Sequence, residues 1–352
     1  MTDWSKSMTQ TFEYYTVNPN TWKDVDKLNN VKTATISRDA SAETLGSATF
    51  DIDDDIGECY IRAYLKAIQS GITERIPLGT FLLQTQSSTF NGKRETRSIK
   101  AYTPLIELKE NPPDLGYSIF KDENIMDNAK MIVREHARAP VVPVSSGDTL
   151  YGDFVANSDD TWLSFCSDLI ANAKYEFGLD ELGQILFQPK QDTMALQPVW
   201  TYTSDNSSIL HPGLSIEKDL YGIPNVLQVI YTKNNEHYET IVKNTDSNSP
   251  VSIQNRGREI TKRLTDPDIG GVPTKEMIDD YAKSMLKSLS TLEYTISYTH
   301  GYCPVRVGDC VRFMHPEAGL KDVKAKVISQ SISCSPGCSV TEKATYTVKL
   351  WG

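Results

Sequence analysis

The sequence lacks the long apolar runs and the short motifs that would identify a membrane protein or a common enzyme. No apolar stretch approaches the ~20 residues that a helix needs to cross a bilayer, and the N-terminus has no signal-peptide core. The HExxH, GxSxG, Walker and GxGxxG motifs of zinc proteases, hydrolases, nucleotide-binding and dinucleotide-binding proteins are absent. We therefore expect a protein made in the cytosol, and the hypothesis of an enzyme is weakened.

Basic residues are also fewer than acidic ones. The chain has 36 Lys and Arg residues against 46 Asp and Glu residues, which gives a net charge of −10. A surface that binds nucleic acid by neutralising phosphates needs clustered cations. We therefore expect no specific nucleic-acid binding.

Cysteines are few, and their spacing does not match a standard metal site. The six cysteines occur without a secretory context, so we expect them to be reduced. Four of them are weak candidates for a zinc site: Cys303, Cys310, Cys334 and Cys338. Structural zinc pairs lie about two to four residues apart, and only Cys334 and Cys338 could form such a knuckle. Buried or loop thiols are the favoured interpretation, and we predict no catalytic, cofactor-binding or metal-binding residues and no cofactor.

Two other groups of residues could carry chemistry. His300 and Cys303 are close enough in sequence to suggest a nucleophile pair, but such an enzyme also needs an orienting third group. A loop histidine beside a structural thiol is the favoured alternative. Glu176, Asp180 and Glu181 could supply a carboxylate pair for glycoside cleavage, and the polar tip of a hairpin explains them as well or better.

Two acidic segments are interpreted as turns. Residues 51–58 alternate carboxylates as a calcium loop does, yet Gly57 stands at position 7 and Arg62 at position 12 of the EF-hand pattern. An EF-hand needs its glycine at position 6 and a bidentate glutamate at position 12. A solvated acidic turn is therefore favoured. Gly308-Asp309 precedes an apolar strand and predicts a tight turn rather than a catalytic aspartate.

Length and composition predict several folded domains. The 352 residues exceed the ~250–300 that one core supports, and 39% hydrophobic with 23% charged residues is typical of soluble proteins. The predicted fold class is mainly β with an α+β insert: two small β-barrel domains plus an inserted helix and hairpin domain. The predicted divisions are a first barrel at 1–112, the insert at 113–212 and a second barrel at 213–352.

The first barrel is predicted from strand patterns that end at consecutive prolines. Asn91-Gly92 indicates a type I′ hairpin, and Asn111-Pro112-Pro113 stops the ladder pattern. The predicted strands cover 31–38, 47–51, 59–65, 80–90 and 96–102.

Helical periodicity predicts two helices in the insert and one in the second barrel. The predicted helices cover 125–136, 162–173 and 275–289, and a hairpin follows the second of them at 175–187. After the third helix, alternation places Leu292, Tyr294, Ile296 and Tyr298 on one face of a strand. Other strands of the second barrel are predicted at 225–231, 323–332 and 344–350.

Three segments form a recognisable pattern in their order along the chain. The first comprises 31–39, 78–83 and 101–105; the second is 162–187; the third is the last predicted helix with its strand and 304–313, which reads P-x-x-x-G-D-x-V. The pattern resembles the hub protein of phage baseplates and related contractile injection machines, the tail-protein family with a gp27-like fold. The first 25 residues, with Tyr14, Tyr15 and Trp22, lie outside the resemblance.

The resemblance implies a structural role. A hub of this family is a homotrimer whose two barrels per chain alternate in a pseudo-sixfold ring, which joins the tail tube to the tail tip or spike and lets DNA pass. The implied partners are the chain itself, the tail tube or distal tail protein, the tip or spike protein, the tape measure protein and other baseplate proteins. The implied location is the virion tail, assembled in the host cytoplasm, with no membrane span.

Two other functions are alternatives to the hub. One is a tail-associated cell-wall hydrolase or carbohydrate-binding tail component, and the other is an unrelated β protein with a zinc knuckle. The hub is favoured and no enzyme is expected, with peptidoglycan degradation kept as the alternative. Because Trp351-Gly352 directly follows the last predicted strand, we expect any lytic or piercing part to belong to another chain.

Overall fold

Strands dominate the structure. The computed structural model describes residues 2–53, 55–92, 94–192, 195–206, 208–233, 236–267, 269 and 274–351. Strands make up 46% and helices 15% of the described residues, which confirms the predicted mainly β class. The chain forms two units: unit 1 comprises 1–214 and 298–344, and unit 2 comprises 215–297 and 345–352.

The N-terminal third of unit 1 is an antiparallel sheet. Its strands pair in the order β2-β1-β5-β6-β7-β4-β3. Alternating apolar residues produce it: in β4, Ala48, Phe50 and Ile52 are buried while the residues between them are more exposed. The strands are β1 Thr9–Val17, β2 Asp24–Leu28, β3 Val31–Asp39, β4 Gly46–Ile52, β5 Tyr60–Gln69, β6 Ile72–Asn91 and β7 Arg94–Tyr102.

The insert has the helices that the periodicity predicts. Asn124 caps α2 by accepting from the Asp127 N–H, and Thr161 with Ser164 forms a capping box on α3. Their apolar stripes meet in one buried cluster. The elements are α1 Ile106–Lys109, β8 Ser118–Ile119, α2 Ile125–His136, β9 Phe154–Val155, α3 Trp162–Ala171, β10 Tyr175–Leu179, β11 Ile185–Pro189 and β12 Trp200–Thr203.

Unit 2 contains a three-stranded sheet covered by a helix. Strand β14 lies between β15, which is antiparallel to it, and β16, which is parallel. The predicted third helix is confirmed as α5, whose Ile278, Ala282 and Leu286 pack with Leu227 and Val229. The elements are β13 Ser215–Lys218, β14 Val226–Lys233, β15 Glu236–Lys243, α4 Ile253–Arg256, β16 Thr261–Thr265 and α5 Lys275–Leu289.

The last four strands follow α5, and the chain enters unit 1 within the first of them and returns to unit 2 within the last. They are β17 Thr291–Gly301, β18 Cys310–His315, β19 Leu320–Ser333 and β20 Ser339–Lys349, with a short 3₁₀ helix, Pro316–Ala318, after β18. The predicted alternation of β17 is confirmed, since Leu292, Ile296 and Tyr298 are buried and Glu293 is exposed. Strand β19 pairs with β3, and β12 pairs with β18 in parallel.

The two units do not follow the predicted division at 112 and 212. Residues 298–344 belong to unit 1 because β19 pairs with β3, which is about three hundred residues away in the chain. The two units describe how compactly the chain packs and do not test the three consecutive domains. The division into 1–112, 113–212 and 213–352 therefore stays a prediction.

The predicted barrels are not closed by hydrogen bonds over the described residues. In that part of the chain β2 pairs with β1 alone, so the sheet of unit 1 keeps an edge there. Strand β2 is short and largely exposed, which is how natural sheets blunt an open edge.

The first 25 residues, which the sequence patterns did not place, contain β1 and the start of β2. The predicted β6–β7 hairpin is confirmed, with Asn91 opposite Arg94. Its turn type stays a prediction because Lys93 lies outside the described residues. In the acidic segment 51–58, Asp51 accepts a hydrogen bond from Thr33 and Asp53 pairs with Lys32, while Asp54 is not among the described residues. Each described helix is too short or too polar to cross a bilayer.

Candidate functional site

The four candidate zinc ligands are buried, uncrosslinked thiols. Cys334 and Cys338 lie in the core of the N-terminal sheet, with Tyr14 in the same cluster. Cys303 lies beside Tyr202, and Cys310 begins β18. Over the described part of the chain, no three His, Cys, Asp or Glu side chains are arranged to hold a metal ion. The absence of a metal site stays a prediction.

Thiol reactivity is expected to separate Cys59 from the other five cysteines. Cys59 is half-buried, whereas the others are buried, and burial raises the pKa of the Cys59 thiol and raises that of Cys334 to about 12. We expect an aromatic disulfide reagent at pH 8 to label one thiol per native chain and all six after unfolding. A Cys59→Ser variant is the control and should reduce native labelling to background. Rapid labelling of two or more native thiols would contradict the burial of the five.

His300 and Cys303 are brought together inside unit 1, but as members of a buried polar cluster. The Cys303 Sγ lies 3.8 Å from His300 Nδ1, and the same nitrogen lies 2.6 Å from the Gly301 carbonyl oxygen. On the other side of the ring, His300 Nε2 lies 3.3 Å from a carboxylate oxygen of Glu342. The side chains of His300 and Glu342 are both 0% exposed, so a dissolved substrate does not reach this pair in the folded chain.

Three donors besides His300 satisfy the Glu342 carboxylate. Tyr298 and Tyr202 donate their hydroxyls to Oε2, the second over 3.3 Å, and Gln330 donates to Oε1. Gln330 also donates to the Val305 carbonyl oxygen over 2.8 Å. These side chains come from β12, β17, β19 and β20, so the cluster joins four strands. A fully hydrogen-bonded buried charge of this kind specifies how strands pack.

The surroundings favour an ionised pair. Burial by itself lowers the pKa of His300, but hydrogen bonds with Cys303 and Glu342 and the charge of Glu342 raise it to about 10. Burial opposes ionisation of Glu342, yet hydrogen bonds from His300, Tyr298 and Gln330 hold its pKa below the ordinary value. Both imidazole nitrogens face acceptors, as a protonated ring requires. Glu342 thus occupies the position of the third group that orients the histidine of a nucleophile pair, but here it is the buried counter-ion of His300.

The acidic residues near 180 are engaged at the tip of the β10–β11 hairpin. Asp180 Oδ1 accepts from the Leu182 N–H over 3.0 Å and from the Gln184 N–H over 2.7 Å, which closes the turn. Glu181 pairs with the guanidinium of Arg306. Glu176 lies on β10, opposite Gln188. Asp180 thus acts as a turn residue and Glu181 as an ion-pair partner.

The same hairpin tip is docked on the N-terminal sheet through one backbone oxygen. The Leu182 carbonyl accepts from Trp22 Nε1 over 2.8 Å, from Arg62 Nη2 over 3.0 Å and from Thr80 Oγ1 over 2.8 Å. Gly183 has φ +77°, and a Cβ there would lie 2.6 Å from the Thr80 Cβ, so glycine is needed for this approach. Sequence reasoning missed the contact; its one signal was Arg62, a charged residue inside an apolar strand.

A cleft of ≈ 390 Å³ lies in unit 1 between the β3–β4 loop, β6 and the β10–β11 hairpin. Arg38, on its wall, donates to Gln330 Oε1 over 3.1 Å and to the Leu78 carbonyl over 2.7 Å. Arg306 is paired with Glu181. The guanidinium groups of the cleft are thus already held by the fold, and they indicate no particular ligand.

The turn prediction for Gly308-Asp309 is confirmed. Gly308 has φ +96°, Asp309 Oδ2 accepts from the Arg306 N–H over 2.8 Å, and β18 begins at the next residue. Burial raises the pKa of Asp309, opposed by its hydrogen bond to the backbone of Arg306 and by the Arg306 charge.

The fold is similar to those of solved tail proteins. The tail protein from Neisseria meningitidis has a TM-score of 0.64 at 13% sequence identity, covering 96% of this chain and 96% of that chain. The 43 kDa tail protein of prophage MuSo2 from Shewanella oneidensis has a TM-score of 0.65 at 10% sequence identity, covering 95% of this chain and 98% of that chain. A chain of the Francisella PdpA–VgrG complex has a TM-score of 0.57 at 11% sequence identity, covering 97% of this chain and 53% of that chain.

The similarity lies in the structure. No protein-family model matches the sequence, and a search of curated proteins finds no significant match. The likeness to the two tail proteins extends over nearly the whole of both chains, so it concerns the arrangement of all the elements rather than one module. The fold implied by the three sequence segments is thereby confirmed: this chain has the fold of phage tail proteins.

Proposed function

We propose that the chain is the structural hub of a phage tail or of a phage-like injection machine. The observation that carries the proposal is the tail-protein fold over 95% or more of the chain. In the proposed assembly three copies form a pseudo-sixfold ring that joins the tail tube to the tip or spike and lets DNA pass. In this proposal the protein belongs to the virion tail and is assembled in the host cytoplasm.

The proposed role is structural rather than enzymatic. The groups that could do chemistry are engaged in the fold: the His300–Glu342 pair is enclosed, Asp180 closes a turn, and Glu181 binds Arg306. A glycoside hydrolase generally needs a carboxylate pair held open to its substrate. The engagement of these groups supports a role in assembly.

The proposed partners are further copies of the chain, the tail tube or distal tail protein, the tip or spike protein, the tape measure protein and other baseplate proteins. The likeness to a chain of the PdpA–VgrG complex supports partners of the tail or baseplate kind. The net charge of −10 supports the passage of DNA without adhesion, provided that acidic side chains line the lumen.

The proposal is tested by the mass and shape of the purified chain. We expect light scattering to give three times the 39.4 kDa of one chain, and negative-stain images to show rings. The same preparation should release no more dye from labelled peptidoglycan than buffer does, with lysozyme as the positive control. The hub would be contradicted if the chain stayed monomeric and formed no rings, even at high protein concentration and with a tail-tube protein added.

A further inference from the structure

Two segments of the insert, 114–123 and 148–156, lie side by side and form a surface that is termed the acidic face. They run antiparallel, joined by the short ladder between β8 and β9. Beyond the ladder, the Leu150 N–H donates to the Glu123 carbonyl oxygen over 3.0 Å. The hydrogen bonds between the two segments hold the surface in one arrangement.

The acidic face carries a group of exposed apolar side chains. Ile119 and Phe154 belong to the buried cluster of the insert, so their neighbours along each strand point outward. The exposed apolar side chains of the two segments are Leu115 (92%), Phe120 (63%), Tyr151 (99%) and Val155 (54%). A single exposed apolar side chain is ordinary, but a group of them on one surface marks an interaction site. Aromatic side chains in particular are enriched at protein interfaces.

Carboxylates accompany these apolar side chains, and they are nearly unopposed. The two segments contain five exposed acids and one cation, Lys121. The acids are Asp114, Asp122, Glu123, Asp148 and Asp153. Three of them accept hydrogen bonds from neutral groups: the Lys121 backbone N–H, the Ser146 hydroxyl and the Asn128 amide. Such bonds leave the negative charge of the surface uncompensated.

The charge of the acidic face selects among possible occupants. Nucleic acids and anionic lipid surfaces carry phosphates, which the carboxylates repel. A second copy of this chain would bring a further net charge of −10. A basic polypeptide with apolar side chains complements the surface in both respects, because its cations meet the carboxylates while its apolar groups cover those of the face.

We propose that the acidic face docks a segment of another tail protein, one that carries Lys or Arg next to apolar side chains. The inference rests on the proposed function, because it takes the partner from the tail. The exposed aromatic ring of Tyr151 anchors the contact in the apolar centre. The carboxylates steer the partner and fix its register.

Photocrosslinking in assembled tails identifies the occupant. A chain in which p-benzoylphenylalanine replaces Tyr151 takes the place of the natural chain, and purified tails are irradiated. We expect a product that joins the chain to a different tail protein, within a segment rich in Lys or Arg. The control carries the same group at Tyr221, which is 92% exposed in unit 2 and should not give that product. No product at position 151, a product that joins two copies of this chain, or the same product at both positions overturns the docking.

Competition for places in the tail measures the apolar anchor. Tyr151→Ser and the unsubstituted chain are produced together, and mass spectrometry gives their ratio in purified tails. We expect Tyr151→Ser to be depleted by about tenfold or more, because truncating an aromatic anchor removes much of the binding energy of an interface. Tyr221→Ser is the control and should be incorporated in proportion to its production.

The same competition tests the charge of the partner. Asp114→Asn with Asp122→Asn removes two charges, and Asn suits position 122 because this residue has φ +67°. We expect a depletion of about threefold or more from the loss of two exposed ion pairs. Glu217→Gln with Glu293→Gln removes as many charges from exposed positions of unit 2 and should have no effect. Equal incorporation of the two double variants would show that the partner is not basic.

The mass of the purified variants separates the docking from the hub. We expect Tyr151→Ser to keep the mass and ring shape of the unsubstituted chain. Full incorporation of Tyr151→Ser into tails overturns the docking and leaves the hub intact. Loss of the ring in Tyr151→Ser would assign the face to the contact between copies and would also overturn the docking. A chain that is absent from purified tails overturns the proposed function itself.

Discussion

Glu342→Ala is expected to lower the free energy of unfolding by about 3–5 kcal/mol, because it leaves the buried His300 imidazolium without its counter-ion. Three further donors, on Tyr202, Tyr298 and Gln330, lose their acceptor in the same variant. Denaturant unfolding at pH 6, followed by tryptophan fluorescence, measures the loss. Glu293→Ala is the control: this glutamate is exposed on β17, and its removal should change stability by no more than about 0.5 kcal/mol.

The pH dependence identifies the charge of the pair as the cause. The raised pKa of His300 contributes stability that is present below its ordinary value of 6.5 and is lost as pH rises through about 10. The lowered pKa of Glu342 contributes stability that is present above its ordinary value of 4.5 and is lost as pH falls through the folded value. The difference between wild type and Glu342→Ala should therefore be largest between these two ordinary values and shrink on either side. A constant difference from pH 4 to 10 would contradict the ion pair.

Arg62→Met is expected to cost about 2–4 kcal/mol, because it removes the donors that hold the β10–β11 hairpin on the N-terminal sheet. Besides Leu182, the guanidinium donates to Thr80 Oγ1 over 2.8 Å and to Asp24 Oδ1 over 2.9 Å. Arg62→Lys keeps the charge but loses the planar fork, so we expect an intermediate loss. Denaturant unfolding gives the magnitudes, and limited proteolysis should cut the variant faster near the hairpin tip.

Arg75→Met is the matched control for Arg62→Met. Arg75 also contacts Asp24, at 3.4 Å, but its side chain is 39% exposed. Exposed ion pairs contribute about 0–1 kcal/mol, so the control should lose much less stability. Equal losses in the two variants, or an unchanged rate of cutting near residue 182 in Arg62→Met, would show that the hairpin does not depend on Arg62.

Local features of this chain were predictable because a few neighbouring residues encode them. The bounds of α5 agree with the apolar stripe from Ile278 to Leu286 and with Thr274, which caps it by accepting from the Met277 N–H. The turn at Gly308-Asp309 and the β6–β7 hairpin were likewise readable from turn residues. The order of the resulting segments then indicated the tail-protein fold, which the structural neighbours bear out.

The candidate site was predicted only in fragments. His300 and Cys303 were paired from their spacing, but Glu342 is 42 residues further along the chain from His300 and carries no signal in the sequence. The Leu182 carbonyl that holds the hairpin is a backbone atom, so no residue type reveals it. Its three donors are Trp22, which lies in the N-terminal segment that the patterns left unplaced, Arg62 on β5 and Thr80 on β6.

By itself, the sequence determined the three long helices, many of the strands and the turn at Gly308-Asp309, since periodicity and capping act over a few residues. Only the tertiary structure decided that β19 pairs with β3, that His300 and Glu342 form an enclosed pair and that the β6–β7 hairpin continues past the ends of β4 and β5. Strand pairing and buried contacts depend on which distant segments satisfy one another's backbone groups and apolar faces at once. That choice belongs to the whole fold, and no local pattern records it.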